Sequence, residues 1–194
     1  MSIHKIIPIT LVSFTIYSPF LFCETLKFPQ LFIGLKTGYQ WADDEAYKRN
    51  DPNDMMLGGF AGLRLSQAWS WDIGYQHHNK LQAKSTDIDV ETNLFDSGLR
   101  YDWYLNTNNN LSVYGRIGVT YWDMIKKIDT SHIIKATGFS PVGEVGLNLY
   151  LNQNLRLSIG YQYVNGIGSS NTGQYDSHGL LLGLSYSLYP PSNQ

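Results

Sequence analysis

The chain holds 194 residues, enough for one domain of ordinary size or two very small ones. Its 14 Lys and Arg against 16 Asp and Glu give a formal net charge of −2, which leaves no electrostatic footprint for nucleic acid. Charged residues make up 15% of the chain, below the roughly 25% of ordinary soluble domains, while aromatics reach 14%. That aromatic load excludes disorder. The single cysteine, Cys23, excludes a disulfide scaffold and any cysteine-rich zinc site.

In chain order, His4 and Lys5 precede an apolar run from Ile6 to Phe22, broken only by Thr, Ser, Tyr and Pro. A basic start followed by such a core is predicted to be a secretory signal, and Pro8 and Pro19 make it a poor permanent membrane helix. Cleavage is placed near Cys23–Glu24, which divides the chain into a signal peptide (1–23), a main domain (24–189) and a short tail (190–194). Phe20-Leu21-Phe22 lacks the small residues that lipidation of Cys23 would prefer.

Past Phe28 no apolar run is long enough for a membrane helix. Instead, eight segments alternate with period 2: 32–41, 57–65, 69–76, 91–105, 111–122, 139–151, 155–163 and 180–188. The last shows the pattern at its clearest, with Leu180, Leu182, Leu184, Tyr186 and Leu188 against Gly183, Ser185 and Ser187. This is strand periodicity. Compact turns follow the second, fourth and sixth segments, at 66–68, 106–110 and 152–154. Longer polar loops are predicted near 42–55, 79–90, 123–137 and 164–178. Short turns on one side and long loops on the other are the organisation of an outer-membrane barrel.

A Gly-Tyr-Gln triplet recurs at 38–40, 74–76 and 160–162, late in the first, third and seventh segments. It sets Tyr39, Tyr75 and Tyr161 at one depth on the apolar face. Trp69, Trp71, Tyr101, Trp103 and Tyr186 cluster at the short-turn ends. With Trp41, Tyr121 and Tyr163 they form two predicted aromatic belts flanking an aliphatic band, the pattern of a bilayer's two interfaces.

The opposite face decides between two all-β classes. It carries Lys36, Arg64, Asp72, Arg100, Asp102, Arg116, Glu144 and Arg156 among Gly, Ser and Gln. A soluble lipocalin-like barrel needs its charges outside and its aliphatics inside. Facing lipid, a cationic side chain would cost about 2–4 kcal/mol at the midplane; facing inward, these groups can pair with one another. The prediction is therefore an all-β, eight-stranded, antiparallel up-and-down transmembrane barrel with an interior charge network. An eight-stranded interior is just wide enough to be filled by side chains, which favours a packed plug over an ion path.

Tyr114-Gly115-Arg116-Ile117-Gly118, Gly138-Phe139-Ser140-Pro141-Val142-Gly143, the stretch Tyr161 to Gly168 and Leu182-Gly183-Leu184-Ser185-Tyr186 resemble the transmembrane domain of the OmpA family. The resemblance covers about Phe32 to Tyr189 and is stronger in the second half. It implies an interior salt-bridge network that plugs the barrel, with Asp72 and Arg100 matching an acidic and a basic position. Two further positions fall on neutral Asn148 and Ser158, for which Glu144 and Arg156 are the expected substitutes. Gly183, Tyr186 and Leu188 resemble the C-terminal signal read by the barrel-assembly machinery, with Leu181 at a usually polar position. The family's periplasmic peptidoglycan-binding domain has no counterpart in this sequence, so its cell-wall anchoring is not carried over.

Two other chemistries have partial signals in the sequence. The acidic groups Asp43, Asp44, Glu45, Asp51 and Asp54, and Asp87, Asp89 and Glu91, lack the glycine turn and twelfth-position Glu of a calcium loop, so they are expected to be solvated loop charge. His77-His78, Ser131-His132 and Ser177-His178 invite comparison with lipid A-modifying barrels. Adjacent residues on a strand point to opposite faces, and no acylhydrolase signature is present. No catalytic residue, metal site or cofactor is assigned. The expected role is a structural barrel of a Gram-negative outer membrane that supports membrane integrity and displays loops for an extracellular ligand, as in adhesion or phage contact. Membrane lipids and lipopolysaccharide are its expected surroundings. The rival readings are a narrow porin-like diffusion channel and, third, a rim-located lipid-modifying enzyme.

Overall fold

The computed structural model describes residues 28–43, 53–82, 88–128, 133–169 and 173–188. They form eight strands: β1 (Gln30–Asp43), β2 (Asn53–Arg64), β3 (Trp69–Gln82), β4 (Ile88–Tyr104), β5 (Leu111–Ile128), β6 (Ile133–Tyr150), β7 (Leu155–Ser169) and β8 (Gly173–Ser187). Each pairs antiparallel with its sequence neighbours, and β1 pairs with β8, so the sheet is a closed barrel as predicted. Closure leaves no strand edge, which lets the ladder satisfy its own backbone groups where lipid offers none.

The period-2 pattern sorts the side chains. On β8, Leu180, Leu182, Leu184 and Tyr186 face out, while Ser177, Gly179, Leu181, Gly183 and Ser185 face in and are buried. The outer surface is apolar throughout its middle, with Ile117 73% and Phe139 75% exposed. Exposed apolar area on this scale needs an apolar solvent.

The short turns are held by their own side chains. Ser66 Oγ accepts from the backbone N–H of Ala68 at 3.3 Å and Trp69 at 3.0 Å. Asn152 Oδ1 accepts from the N–H of Asn154 and Leu155, both at 2.8 Å. Asn109 takes φ of 53°, a left-handed turn position that Asn tolerates.

At the other end the strands run further than the alternation predicts. β5 continues to Ile128 and β6 starts at Ile133, so most of the loop expected at 123–137 is ladder, from Asp123 opposite Thr137 to Lys127 opposite Ile133. Backbone pairing needs no apolar alternation once a strand leaves the aliphatic band. β7 bulges between Val164 and Ile167, where Gly166 adopts φ of 70°. The extra residue reverses the parity, and both Val164 and Ile167 point inward. Residues 1–23, the tail 190–194, and Asp44, Glu45, Asp51, Asp87, Ser131 and His132 lie outside the described residues, whereas Asp43, Asp54, Asp89 and Glu91 lie on strands rather than in loops.

The lumen is layered. Charged and hydroxyl side chains fill its middle. At the long-strand end Leu94, Trp122, Met124, Val142, Val164, Ile167 and Tyr175 form a buried apolar cluster, joined by Ala42 and Ala136. The inward face is therefore not polar throughout, as the sequence reading implies.

Candidate functional site

Glycines clear the space that the inward side chains need. A Cβ at Gly98 would stand 2.7 Å from Arg116 Cζ, and one at Gly74 would stand 3.0 Å from Asp96. Into this room Lys36 of β1 extends Nζ to Asp96 Oδ2 of β4 at 3.3 Å. Arg116 of β5 donates Nε and Nη2 to Asp72 Oδ1 of β3 at 2.9 and 2.6 Å, and Nη2 also meets Asp96. Gln76 Nε2 gives Asp96 a further bond of 3.1 Å. Beside this chain, Arg100 Nη2 meets Glu144 Oε1 at 3.4 Å, and Tyr114 Oη donates to the same oxygen at 2.5 Å. The Arg100 guanidinium lies 4.0 Å over the Tyr114 ring.

These groups come from β1, β3, β4, β5 and β6, so the pairs cross the lumen rather than run along one ladder. Buried pairs of this kind add little net stability, but removing one partner strands a charge in a dry interior. The space they leave is small. A cavity of about 20 Å³ is lined by Lys36, Asp72, Arg100, Arg116, Glu144 and Ser158 together with apolar neighbours. That is room for about one water.

The structure brings Lys36, Asp72, Arg100, Arg116 and Glu144 of the predicted set into ion pairs, and Glu144 stands beside Arg100 as its partner. The other three predicted residues are placed differently. Asp102 accepts from Ser112 Oγ at 3.3 Å and from Asn148 Nδ2. Arg64 donates to Tyr150 Oη at 3.3 Å, and Arg156 donates Nε to Ser185 Oγ at 3.0 Å. Arg156 thus meets no carboxylate among the described residues, because it sits near the short-turn end, beyond the layer where Glu144 lies. The sequence reading missed Asp96, the acid that takes two cations. Its parity with Gly98 and Arg100 was the available signal.

Outside, every residue of the two predicted aromatic rows faces away from the lumen. At the short-turn end Tyr101 packs edge-on against Trp69 at 4.7 Å and Trp103 at 4.6 Å, with Trp71 and Tyr186 beside them on the outer face. The other row gains members the sequence reading left out. Tyr75 meets Phe95 at 4.8 Å, Tyr121 meets Phe139 at 5.3 Å, and Trp41 stacks on His178 at 5.8 Å. Tyr39 also faces out; Tyr161 Oη bonds His178 Nδ1 at 2.5 Å, and Tyr163 donates to Asp176 at 2.6 Å.

The histidines do not converge. His77 faces out, with Nδ1 2.8 Å from Asn93 Oδ1, whereas His78 is buried inside with neither ring nitrogen hydrogen-bonded among the described residues. Ser177 points in and His178 out, so the two cannot act on one another. Among the described residues no three His, Cys, Asp or Glu side chains gather as a metal site.

Comparison with known proteins adds three findings. A family model described as the OmpA-like transmembrane domain matches residues 27–190. Outer membrane protein A of Shigella flexneri is 27% identical over 165 residues, covering 80% of this chain; the chain spans about half the length of that curated relative, 47%. Among solved structures, neisserial surface protein A superposes with a TM-score of 0.66 at 16% identity, covering 81% of this chain and 97% of its own. Ail of Yersinia pestis, solved with the heparin analogue sucrose octasulfate, gives 0.57 at 15%, covering 82% and 99%. At these identities the two structural likenesses speak to the barrel fold.

Proposed function

Because the chain belongs to the family of OmpA-like transmembrane domains and lies in the outer membrane, we propose that it acts there as a closed structural barrel. The observation that carries this reading is the filling of the lumen at two levels. The ion pairs around Arg116 occupy the middle, and the cluster around Trp122 and Ile167 occupies the long-strand end. A hydrated ion would have to part both. The interior charges accordingly serve as packing, and the two aromatic rows seat the barrel at the two membrane interfaces.

On this reading residues 1–23 are an export signal and 24–189 the barrel that remains. The barrel-assembly machinery inserts it, lipopolysaccharide surrounds its outer half, and it supports the membrane mechanically. The long-strand end faces outward, since periplasmic turns are the short ones. It is there that an extracellular ligand would dock, a role in keeping with Ail and its heparin analogue.

The test is planar-bilayer recording of the purified, folded chain. Closed traces with only rare brief openings are expected for the native protein. A steady conductance that scales with salt concentration would replace this reading with the narrow diffusion channel.

A further inference from the structure

At the short-turn end of the lumen stand two guanidiniums that the ion-pair layer leaves out. Arg64, the last residue of β2, lies 5.3 Å over the Tyr150 ring and donates Nη2 to the Tyr150 hydroxyl at 3.3 Å. Arg156 stands directly across the β6–β7 ladder from Tyr150, 5.2 Å over the Phe32 ring, with Nε on Ser185 Oγ. Tyr150 is therefore flanked by two cations. A second phenol, Tyr104, places its oxygen 3.4 Å from that of Tyr150 and donates to Gln67 O at 3.0 Å.

No carboxylate oxygen lies within 4 Å of either guanidinium among the described residues. The acid at this end, Asp102, is hydrogen-bonded to neutral Ser112 and Asn148 and acts on Arg156 through space rather than by contact. Each guanidinium offers five N–H donors, and acceptors among the described residues use one of each. Arg156 is 5% exposed. Charges buried to that degree are ordinarily paired in contact, and here two of like sign stand beside two phenols with no carboxylate in contact among the described residues.

We propose that this periplasmic mouth is a binding site for a small oxyanion, a carboxylate or a phosphate, held between Arg64 and Arg156. The planar forks of two arginines match the oxygens of such a group, and the phenols close the site with neutral hydrogen-bonding atoms. Free oxyanions and the phosphate of a lipid headgroup share this chemistry. The proposal depends on the short-turn end facing the periplasm and not on whether the lumen conducts, so it stands or falls apart from the bilayer recording.

The experiment titrates inorganic phosphate, and separately acetate, into the folded full chain in an uncharged maltoside detergent, read by calorimetry. Saturable binding of one anion per chain is expected, weakened about tenfold or more by Arg64→Gln or Arg156→Gln and unchanged by Lys135→Gln on the outer surface. Repeating the titration in phosphatidylglycerol bilayers separates the sources. Binding that persists there assigns the site to free anions, and binding that disappears assigns it to the lipid phosphate. Heat-modifiable electrophoresis checks that each variant folds, and if Arg156→Gln does not, Arg64→Gln at the more open rim decides alone. Absence of saturable binding by the native chain, or equal binding by the Arg64 variant, would overturn the proposal.

Discussion

Arg116 is the residue on which the ionic layer turns, since among the described residues it alone bridges Asp72 and Asp96. Arg116→Ala is expected to lower stability by about 3–5 kcal/mol, because Asp72 loses its ion-pair partner and Asp96 one of its two cations in a dry lumen. Urea unfolding in lipid vesicles reads this directly; a midpoint equal to that of the native chain would mean that the layer contributes no stability. A second residue-scale expectation concerns space. A Cβ at Gly160 would run into the Tyr114 hydroxyl, whereas one at Gly143 would meet nothing within 4 Å. Gly160→Ala should therefore cost about 1–3 kcal/mol, through overpacking and displacement of the phenol from Glu144. Gly143→Ala, on the outer face, should leave the midpoint unchanged, and equal effects of the two would refute the packing argument.

Among the elements, β7 shows most clearly what a sequence can and cannot say. From Leu155 to Tyr163 the alternation is regular, and the structure keeps it. Beyond Val164 the bulge resets the parity, so counting in twos assigns Ile167 to the wrong face. Gly166, with its positive φ, holds that reset, and its amide donates to Asp176 Oδ1 at 2.8 Å. Gly166→Val should destabilise the barrel by about 1–3 kcal/mol, with Gly166→Asn milder, as measured by the same urea midpoints. If Val and Asn behave alike, the left-handed backbone is not what the site requires. Strand number and, short of the β7 bulge, the inward and outward faces were legible because they follow from local alternation, whereas Phe95, Phe139 and His178 of the second aromatic row were not read. Nor was the second partner of Arg116, Asp96. Which charges meet across a lumen depends on stagger between strands far apart in sequence, and Asp96 on β4 reaches Lys36 on β1 only after the barrel has closed. Likewise, nothing in the sequence of β5 alone shows that Trp122 and Met124 join Val142 and Ile167 in a cluster.

For the molecule as a whole, a closed ladder with a filled interior should resist detergent at room temperature. Unboiled protein is expected to migrate faster than boiled protein in electrophoresis, since the barrel stays compact until heat opens it. Identical mobility would contradict a closed barrel.

One feature of the fold also bears on order in time. Seven of the eight ladders join strands that are neighbours along the chain, and these can zip locally, hairpin by hairpin. The eighth is a seam between β1 and β8, running from Phe32 opposite Ser187 to Asp43 opposite Asp176. It cannot begin until the last strand has arrived. Until then the unfinished sheet carries two raw edges, and a cell that releases it too early has a sticky intermediate on its hands. Formation of this barrel therefore has a definite final act, the sewing of the seam between its first and last strands.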